Sequence, residues 1–90
     1  MSAKEAYIAE TSGERKRRYQ IFRLDGTDAP WMFVLDEYDA TGSAAPVYDA
    51  IEPTLAEILP HVAEKADQPL SWRRSAGGRP VDLEALAAAG

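Results

Sequence analysis

Few side chains of this 90-residue chain combine the type and spacing that catalysis or metal binding requires. His61 is the only histidine and cysteine is absent, which excludes a thiolate nucleophile and a nitrogen/sulfur metal site. A lone histidine can act as a general acid or base. His61, however, follows Pro60 and lies off the apolar stripe of a predicted helix, so we expect it at the helix surface. No serine lies in a Gly-x-Ser-x-Gly motif. The sequence therefore predicts a non-enzymatic protein without catalytic residues, metal or cofactor.

An acidic segment, DEYDATG, begins at Asp36 and could be compared with a calcium-binding loop. Counted from Glu37, Asp39 stands at position three and a glycine at position six, as such loops require. Position one is not aspartate, and Tyr48 stands at position twelve, where a bidentate glutamate is needed. The calcium pattern therefore fails. We interpret Asp36, Glu37 and Asp39 as a solvated strand end or as an acidic surface for a basic partner.

Cationic side chains cluster at two places. They are Arg15, Lys16, Arg17 and Arg18, at a predicted turn and strand start, and Arg73 and Arg74, which follow Trp72. Arginine beside an aromatic ring suits contacts with phosphate or single-stranded nucleic acid, and tryptophan is enriched among interface hot spots. The competing interpretations are an acidic protein partner and a solvated hairpin end, whose cations are neutralised by neighbouring acids and would contribute little to folding.

The charge is sorted along the chain. Residues 24–66 contain nine acidic side chains and one basic one, whereas residues 1–23 have a net charge of +3. The formal net charge of −5 would repel a phosphate backbone over most of the surface, so nucleic-acid binding would have to be local. An acidic surface instead favours a basic site on another protein.

Length and composition predict a single domain over residues 1–90. No apolar run is long enough for a signal peptide or a membrane span, so we expect a soluble, cytoplasmic protein that does not contact membranes. Arginine exceeds lysine and asparagine is absent, which is typical of GC-rich bacterial or phage coding sequences.

The first half of the chain has the pattern of strands. Residues 16–24 alternate between two faces, and residues 31–38 include the most apolar run, which predicts a central strand with Trp31 in the core. Residues 6–11 form a shorter candidate strand. Turn signals separate these segments, so we predict an antiparallel meander.

The second half contains the helix signals. An apolar stripe over residues 50–66 predicts an amphipathic helix, kinked or broken at Pro60, with Thr54 and Glu57 in a capping-box pattern. Residues 39–46 are predicted to form a loop, residues 47–48 a short strand or the start of the helix, and residues 68–74 a short edge strand. Asp82 is a suitable cap for a last short helix over 83–89.

These elements predict an α+β fold: a three- to four-stranded, mainly antiparallel sheet packed by one kinked helix, with a short C-terminal helix. One long helix covers only one face of a sheet. We therefore expect the second face to be covered by the C-terminal helix or by a second copy, which would make the protein a homodimer.

The function that these features favour is a small acidic protein-interaction module, a regulator or inhibitor that binds a larger protein and occupies a basic site on it. A phage-encoded or mobile-element inhibitor is one concrete version. The candidate partner-binding residues are Arg15, Lys16, Arg17, Arg18, Trp72, Arg73, Arg74, Asp36, Glu37 and Asp39. One alternative is a nucleic-acid-binding accessory protein that uses the basic and aromatic residues. The other is a small enzyme or ligand-binding protein.

Overall fold

The computed structural model describes residues 3–12 and 16–89. Their elements, in chain order, are β1 (Ala3–Thr11), β2 (Arg17–Leu24), β3 (Trp31–Tyr38), β4 (Ala44–Glu52), α1 (Leu55–Lys65), β5 (Arg73–Arg74) and α2 (Leu83–Ala89). The strands form one sheet in the order β4-β3-β2-β1-β5, and every neighbouring pair is antiparallel. The predicted α+β class and the antiparallel meander are therefore confirmed.

The sheet has five strands rather than the three or four predicted. The additional strand is β4. Residues 47–48 are a short strand in one of the two predicted alternatives, but the first residues of β4 are predicted as a loop and its last residues as part of a helix. β4 pairs with β3 from Tyr38 opposite Ala44 to Trp31 opposite Glu52, with one irregularity of the register between Leu35 and Asp36. Before it, Gly42 has φ +85° in a tight turn, a conformation that favours glycine.

Helix α1 begins at Leu55, not near residue 50, so the predicted start is wrong. The Thr54 hydroxyl accepts a hydrogen bond from the Glu57 amide at 3.2 Å, as predicted for an N-cap. The helix runs as one element through Pro60 to Lys65. The alternative of two short helices meeting at Pro60 is therefore wrong.

In the C-terminal part of the chain, the predicted helix is confirmed but the predicted strand is shorter in the structure. Helix α2 covers residues 83–89 as predicted, and Asp82 Oδ1 accepts a hydrogen bond from the Ala85 amide at 3.2 Å. The predicted strand over 68–74 is reduced to β5, which pairs with Tyr7 and Ile8 of β1 and forms a single bridge from Arg73 to Pro80.

The core lies between one face of the sheet and the two helices. Its buried members are Tyr7, Ala9, Tyr19, Ile21, Phe33, Leu35, Leu55, Ile58, Val62 and Leu83. The rings of Tyr19 and Phe33 stack with centroids 6.3 Å apart and planes 8° apart. Trp31, which was predicted to lie in the core, is half-buried and packs against its edge.

Both helices pack on the same side of the sheet. α1 contacts β3 and β4, α2 contacts α1, and Leu83 at the start of α2 is buried in the core. The expectation that the C-terminal helix covers the second face is therefore wrong, since neither helix lies there. Neither of these two helices is long and apolar enough to cross a membrane.

Candidate interaction surface

The face of the sheet opposite the helices, here called the open face, contains two rows of mainly apolar side chains. Side chains on neighbouring strands that stand opposite each other point to the same face. The register gives the rows Ala6–Phe22–Met32–Ile51 and Ile8–Gln20–Val34–Asp49. These rows cross β1, β2, β3 and β4, so they form a continuous surface.

The open face is more apolar than a solvent-facing sheet surface needs to be. Ile51 is 59% exposed, and Val47 in the same strand is 53% exposed. Phe22, Met32 and Val34 are only half-buried, although they lie on the two inner strands β2 and β3. Contiguous apolar surfaces on small proteins mark binding sites for other molecules.

A third row on the open face consists of charged side chains that form ion pairs with one another. Arg18 stands between Glu10 and Asp36 in the register. Its Nη2 contacts Asp36 Oδ2 at 3.0 Å, and Arg73 Nη2 contacts Glu10 Oε1 at 2.9 Å. The hydrogen bond with Asp36 raises the pKa of Arg18. Arg18 Nε is buried without a hydrogen-bond partner, so one donor of this row remains unused.

Tyr38 forms the end of the open face beside the charged row. Lys16 Nζ lies 4.9 Å from the centre of its ring, and the Arg18 guanidinium carbon lies 5.8 Å from it. Cations stacked on an aromatic ring are held in place while they remain accessible. The structure therefore brings four predicted partner-binding residues to the open face: Lys16, Arg18, Asp36 and Arg73.

Arg17 and Glu37 belong to the opposite face. Arg17 Nη2 contacts Glu37 Oε2 at 2.8 Å, and Nη1 contacts the Lys65 carbonyl at 3.1 Å and Asp67 at 3.6 Å. Hydrogen bonds to Tyr19 and then to Glu37 raise the pKa of Arg17, against the effect of burial. Glu37 and Asp67 neutralise Arg17, as expected for a hairpin end whose cations are paired with neighbouring acids. Arg17 is not solvated, however, because only 11% of its side chain is exposed.

The remaining candidates are dispersed. Arg15 lies outside the described residues. Asp39 is exposed in the β3–β4 loop, where its Oδ1 accepts hydrogen bonds from the Thr41 hydroxyl and amide and from the Ser43 amide. These bonds, with that of the Thr41 hydroxyl first, lower the pKa of Asp39. Its carboxylate therefore stabilises the loop.

Trp72 and Arg74 lie on the helix side of β5. The Arg74 guanidinium carbon is 5.6 Å from the centre of the Tyr7 ring. Trp72 is half-buried against the core and lines a groove of about 610 Å³ beside α1 and the start of α2. The structure separates these two residues from Arg73, which points to the open face.

A hydrogen-bonded chain that the sequence analysis missed joins β4 to α1. His61 Nδ1 lies 2.8 Å from the Tyr48 hydroxyl, and His61 Nε2 lies 2.6 Å from Glu52 Oε2. Tyr48 and Glu52 are four residues apart in β4, so their side chains share a face. His61 is half-buried rather than a free surface residue. Only the assignment of residues 44–52 to a strand could have indicated this arrangement.

Comparison with protein-family models, with curated proteins and with solved structures finds no match for this chain. Within residues 3–12 and 16–89, no group of three or more His, Asp or Glu side chains is arranged to hold a metal ion. The assignment of function therefore rests on the geometry of the surfaces.

Proposed function

We propose that this protein is a non-enzymatic interaction module that binds a larger protein through the open face of its sheet. The observation that carries the proposal is the apolar row Ala6–Phe22–Met32–Ile51, with Ile8 and Val34 in the row beside it, which neither helix covers. The core is complete without them, because the buried cluster lies on the other side of the sheet.

The composition of the open face supports protein binding. Protein interfaces combine an apolar centre with a polar rim, and aromatic residues, Met and Arg are enriched in them relative to the rest of the surface. Phe22 and Met32 supply the centre, and Tyr38 and Arg18 stand at the rim. Exposed Ile51 lies at the edge strand β4, where a partner can reach it.

Charge favours a partner whose contact site is apolar at its centre and basic around it. The ion pairs of the open face involve Arg18 and Arg73 and carry no net charge. The net charge of −5 over the whole chain therefore comes from acidic residues outside these pairs. This negative charge would attract a basic surface and speed association. A regulator or inhibitor acts in this way, by occupying a site that other molecules use.

The ion pairs on both faces of the sheet count against the nucleic-acid alternative. Arg17, Arg18 and Arg73 each face a carboxylate, and binding a phosphate backbone would require these pairs to be broken. If the alternative were right, the protein would be retained on an immobilised oligonucleotide at low salt and released steeply as salt rises.

Site-directed photo-cross-linking in the native host tests the proposal. A benzophenone amino acid at position 51 samples the open face, and one at Ala88, exposed on α2, is the matched control. We expect position 51 to cross-link a specific protein and position 88 not to do so. The purified partner should then bind the Ile51→Asp and Met32→Asp variants roughly tenfold more weakly or worse, at an unchanged fold by circular dichroism.

Other outcomes would overturn the proposal. Cross-linking of the partner from position 88 but not from position 51 would move the binding surface to the helix side. Cross-linking only to a second copy of the chain, with a doubled mass in analytical ultracentrifugation, would make the open face a homodimer interface. If the Ala88→Gln control and the Ile51→Asp variant bound the purified partner with equal affinity, the apolar rows would be excluded as the binding surface.

A further inference from the structure

A cavity of about 470 Å³ lies on the helix side of the sheet, away from the open face. Residues from β1, β2, β3, α1 and α2 line it, among them Glu5, Tyr7, Arg23, Trp31, Leu55 and Leu86. Its volume lies in the range of small-molecule sites, which are mostly apolar with a few convergent polar groups. The cavity is independent of the proposed interaction surface, because its walls are on the opposite side of the sheet.

Glu5 and the exposed Arg23 bring opposite charges to this cavity without forming a salt bridge. Glu5 and Arg23 stand opposite each other in the register of β1 and β2, next to an irregularity between Ala3 and Glu5. No salt bridge joins these two residues. Glu5 Oε2 instead accepts a hydrogen bond from the Tyr7 hydroxyl at 2.9 Å, and the Arg23 guanidinium carbon lies 5.9 Å from the centre of the Trp31 ring. An anion and a cation therefore stand side by side in the cavity.

Tyr7 holds the carboxylate in position. Only 2% of Tyr7 is exposed. Burial, followed by the hydrogen bond with Glu5, raises the pKa of Tyr7, while Arg74 and Arg23 oppose this effect. The phenol therefore stays protonated and donates to Glu5. Because a carboxylate has two oxygens and about four acceptor positions, this bond leaves Glu5 able to accept another donor.

Apart from Thr54 at the start of α1, the other side chains that line the cavity are apolar. Leu55 is buried, Trp31 and Leu86 are half-buried, and their side chains line the space beside the two charges. A ligand with a single charge would be opposed there, since Glu5 repels an anion and Arg23 repels a cation. A ligand with both charges on neighbouring atoms meets a partner for each.

We propose that this cavity binds a free α-amino acid with an apolar or aromatic side chain. Its ammonium group contacts Glu5, its carboxylate contacts Arg23, and its side chain packs against Trp31 and the leucines of the two helices. A singly charged ligand leaves Glu5 or Arg23 without a partner. An amino-acid zwitterion contacts both charged side chains while its apolar group fills the remaining space.

Three ligands of one size test the inference. L-Phenylalanine carries both charges, phenethylamine lacks the carboxylate, and hydrocinnamate lacks the ammonium group. Trp31 and Trp72 are the two tryptophans of the chain, so Trp72→Phe leaves Trp31 as the fluorescent reporter. We expect a saturable change of Trp31 fluorescence with L-phenylalanine and at least roughly tenfold weaker binding of the other two, since each loses a charge-assisted contact.

Two variants assign the charges. Glu5→Gln should weaken the binding of L-phenylalanine and strengthen that of hydrocinnamate. Arg23→Gln should also weaken the binding of L-phenylalanine but strengthen that of phenethylamine. Glu10→Gln, which removes an open-face carboxylate, is the control and should leave all three affinities unchanged. Amide chemical shifts of the wild-type protein provide the same readout if Trp72→Phe does not fold.

The inference is overturned if the three ligands bind equally, because the cavity would then recognise only the phenyl group. It is also overturned if L-phenylalanine near its solubility limit changes neither Trp31 fluorescence nor the amide shifts of residues 23, 31 and 55. Both results leave the proposed function untouched, since neither concerns the open face.

Discussion

Arg17 stands opposite Glu37 across β2 and β3, and its guanidinium also reaches the end of α1. Arg17 Nε and Nη2 contact Glu37 Oε2 at 2.9 and 2.8 Å, while Nη1 donates to the Lys65 carbonyl at 3.1 Å. The last carbonyls of a helix lack partners within the helix. Arg17 therefore fastens α1 to the sheet, with only 11% of its side chain exposed.

Arg17→Gln should lower the free energy of unfolding by about 1–3 kcal/mol, because it removes a largely buried, hydrogen-bonded charge. The control is Arg73→Gln, which breaks the exposed pair with Glu10 and should cost less than about 1 kcal/mol. Urea denaturation measures both. Equal losses would show that Arg17 contributes no more than a surface charge.

Ile58→Ala should cost about 2–5 kcal/mol, because Ile58 is 0% exposed in the core. Leu59→Ala should cost less, since Leu59 is only half-buried beside the same cluster. The comparison tests which residues of the apolar stripe face the sheet. A greater loss for Leu59→Ala in chemical denaturation would mean that α1 is rotated about its axis.

Amide exchange should be slowest in β2 and β3, which have a hydrogen-bonded neighbour on each side. β4 is an edge strand, so its outward amides should exchange faster than those of β3 opposite them. Native-state hydrogen exchange followed by NMR measures this order. Uniformly slow exchange along β4 would indicate that another chain pairs with this edge.

Neutral His61 should carry its proton on Nε2. The Glu52 carboxylate at 2.6 Å can only accept, and the Tyr48 hydroxyl at 2.8 Å from Nδ1 then donates. Long-range nitrogen–proton NMR correlations distinguish the two tautomers. Glu52→Gln should reduce the preference, whereas Glu57→Gln on the exposed side of α1 should not. A dominant Nδ1–H form would contradict the hydrogen bonds from Tyr48 through His61 to Glu52.

Stability should decline at alkaline pH through Tyr7, whose pKa burial raises above its usual value near 10. Below about pH 10 both the folded and the unfolded chain keep the phenolic proton, so the stabilisation is complete. As pH rises towards the folded pKa, the unfolded chain loses its proton first and the stabilisation is lost. Tyr7→Phe should flatten this decline in urea denaturation, and an unchanged decline would assign it to other groups.

Local signals in the sequence were sufficient for several elements. The alternation of β2, the apolar run of β3 and the caps Thr54 and Asp82 depend on neighbouring residues only, and the structure confirms each of them. The end of β4 was assigned to the helix because Ile51 fits both the helical period of α1 and the alternation of a strand. Pairing with β3, which decides between the two, is a contact between segments distant in sequence.

Only the tertiary structure decided which charged residues pair with each other and which face of the sheet remains uncovered. The sequence places basic residues 15–18 far from acidic residues 36–39, and only the register of β2 on β3 sets Arg17 against Glu37 and Arg18 against Asp36. Because strand side chains alternate, the same register divides these pairs between the two faces. The packing of α2 beside α1 then leaves the other face open. Sequence patterns could not determine these relationships, because each depends on packing between distant segments.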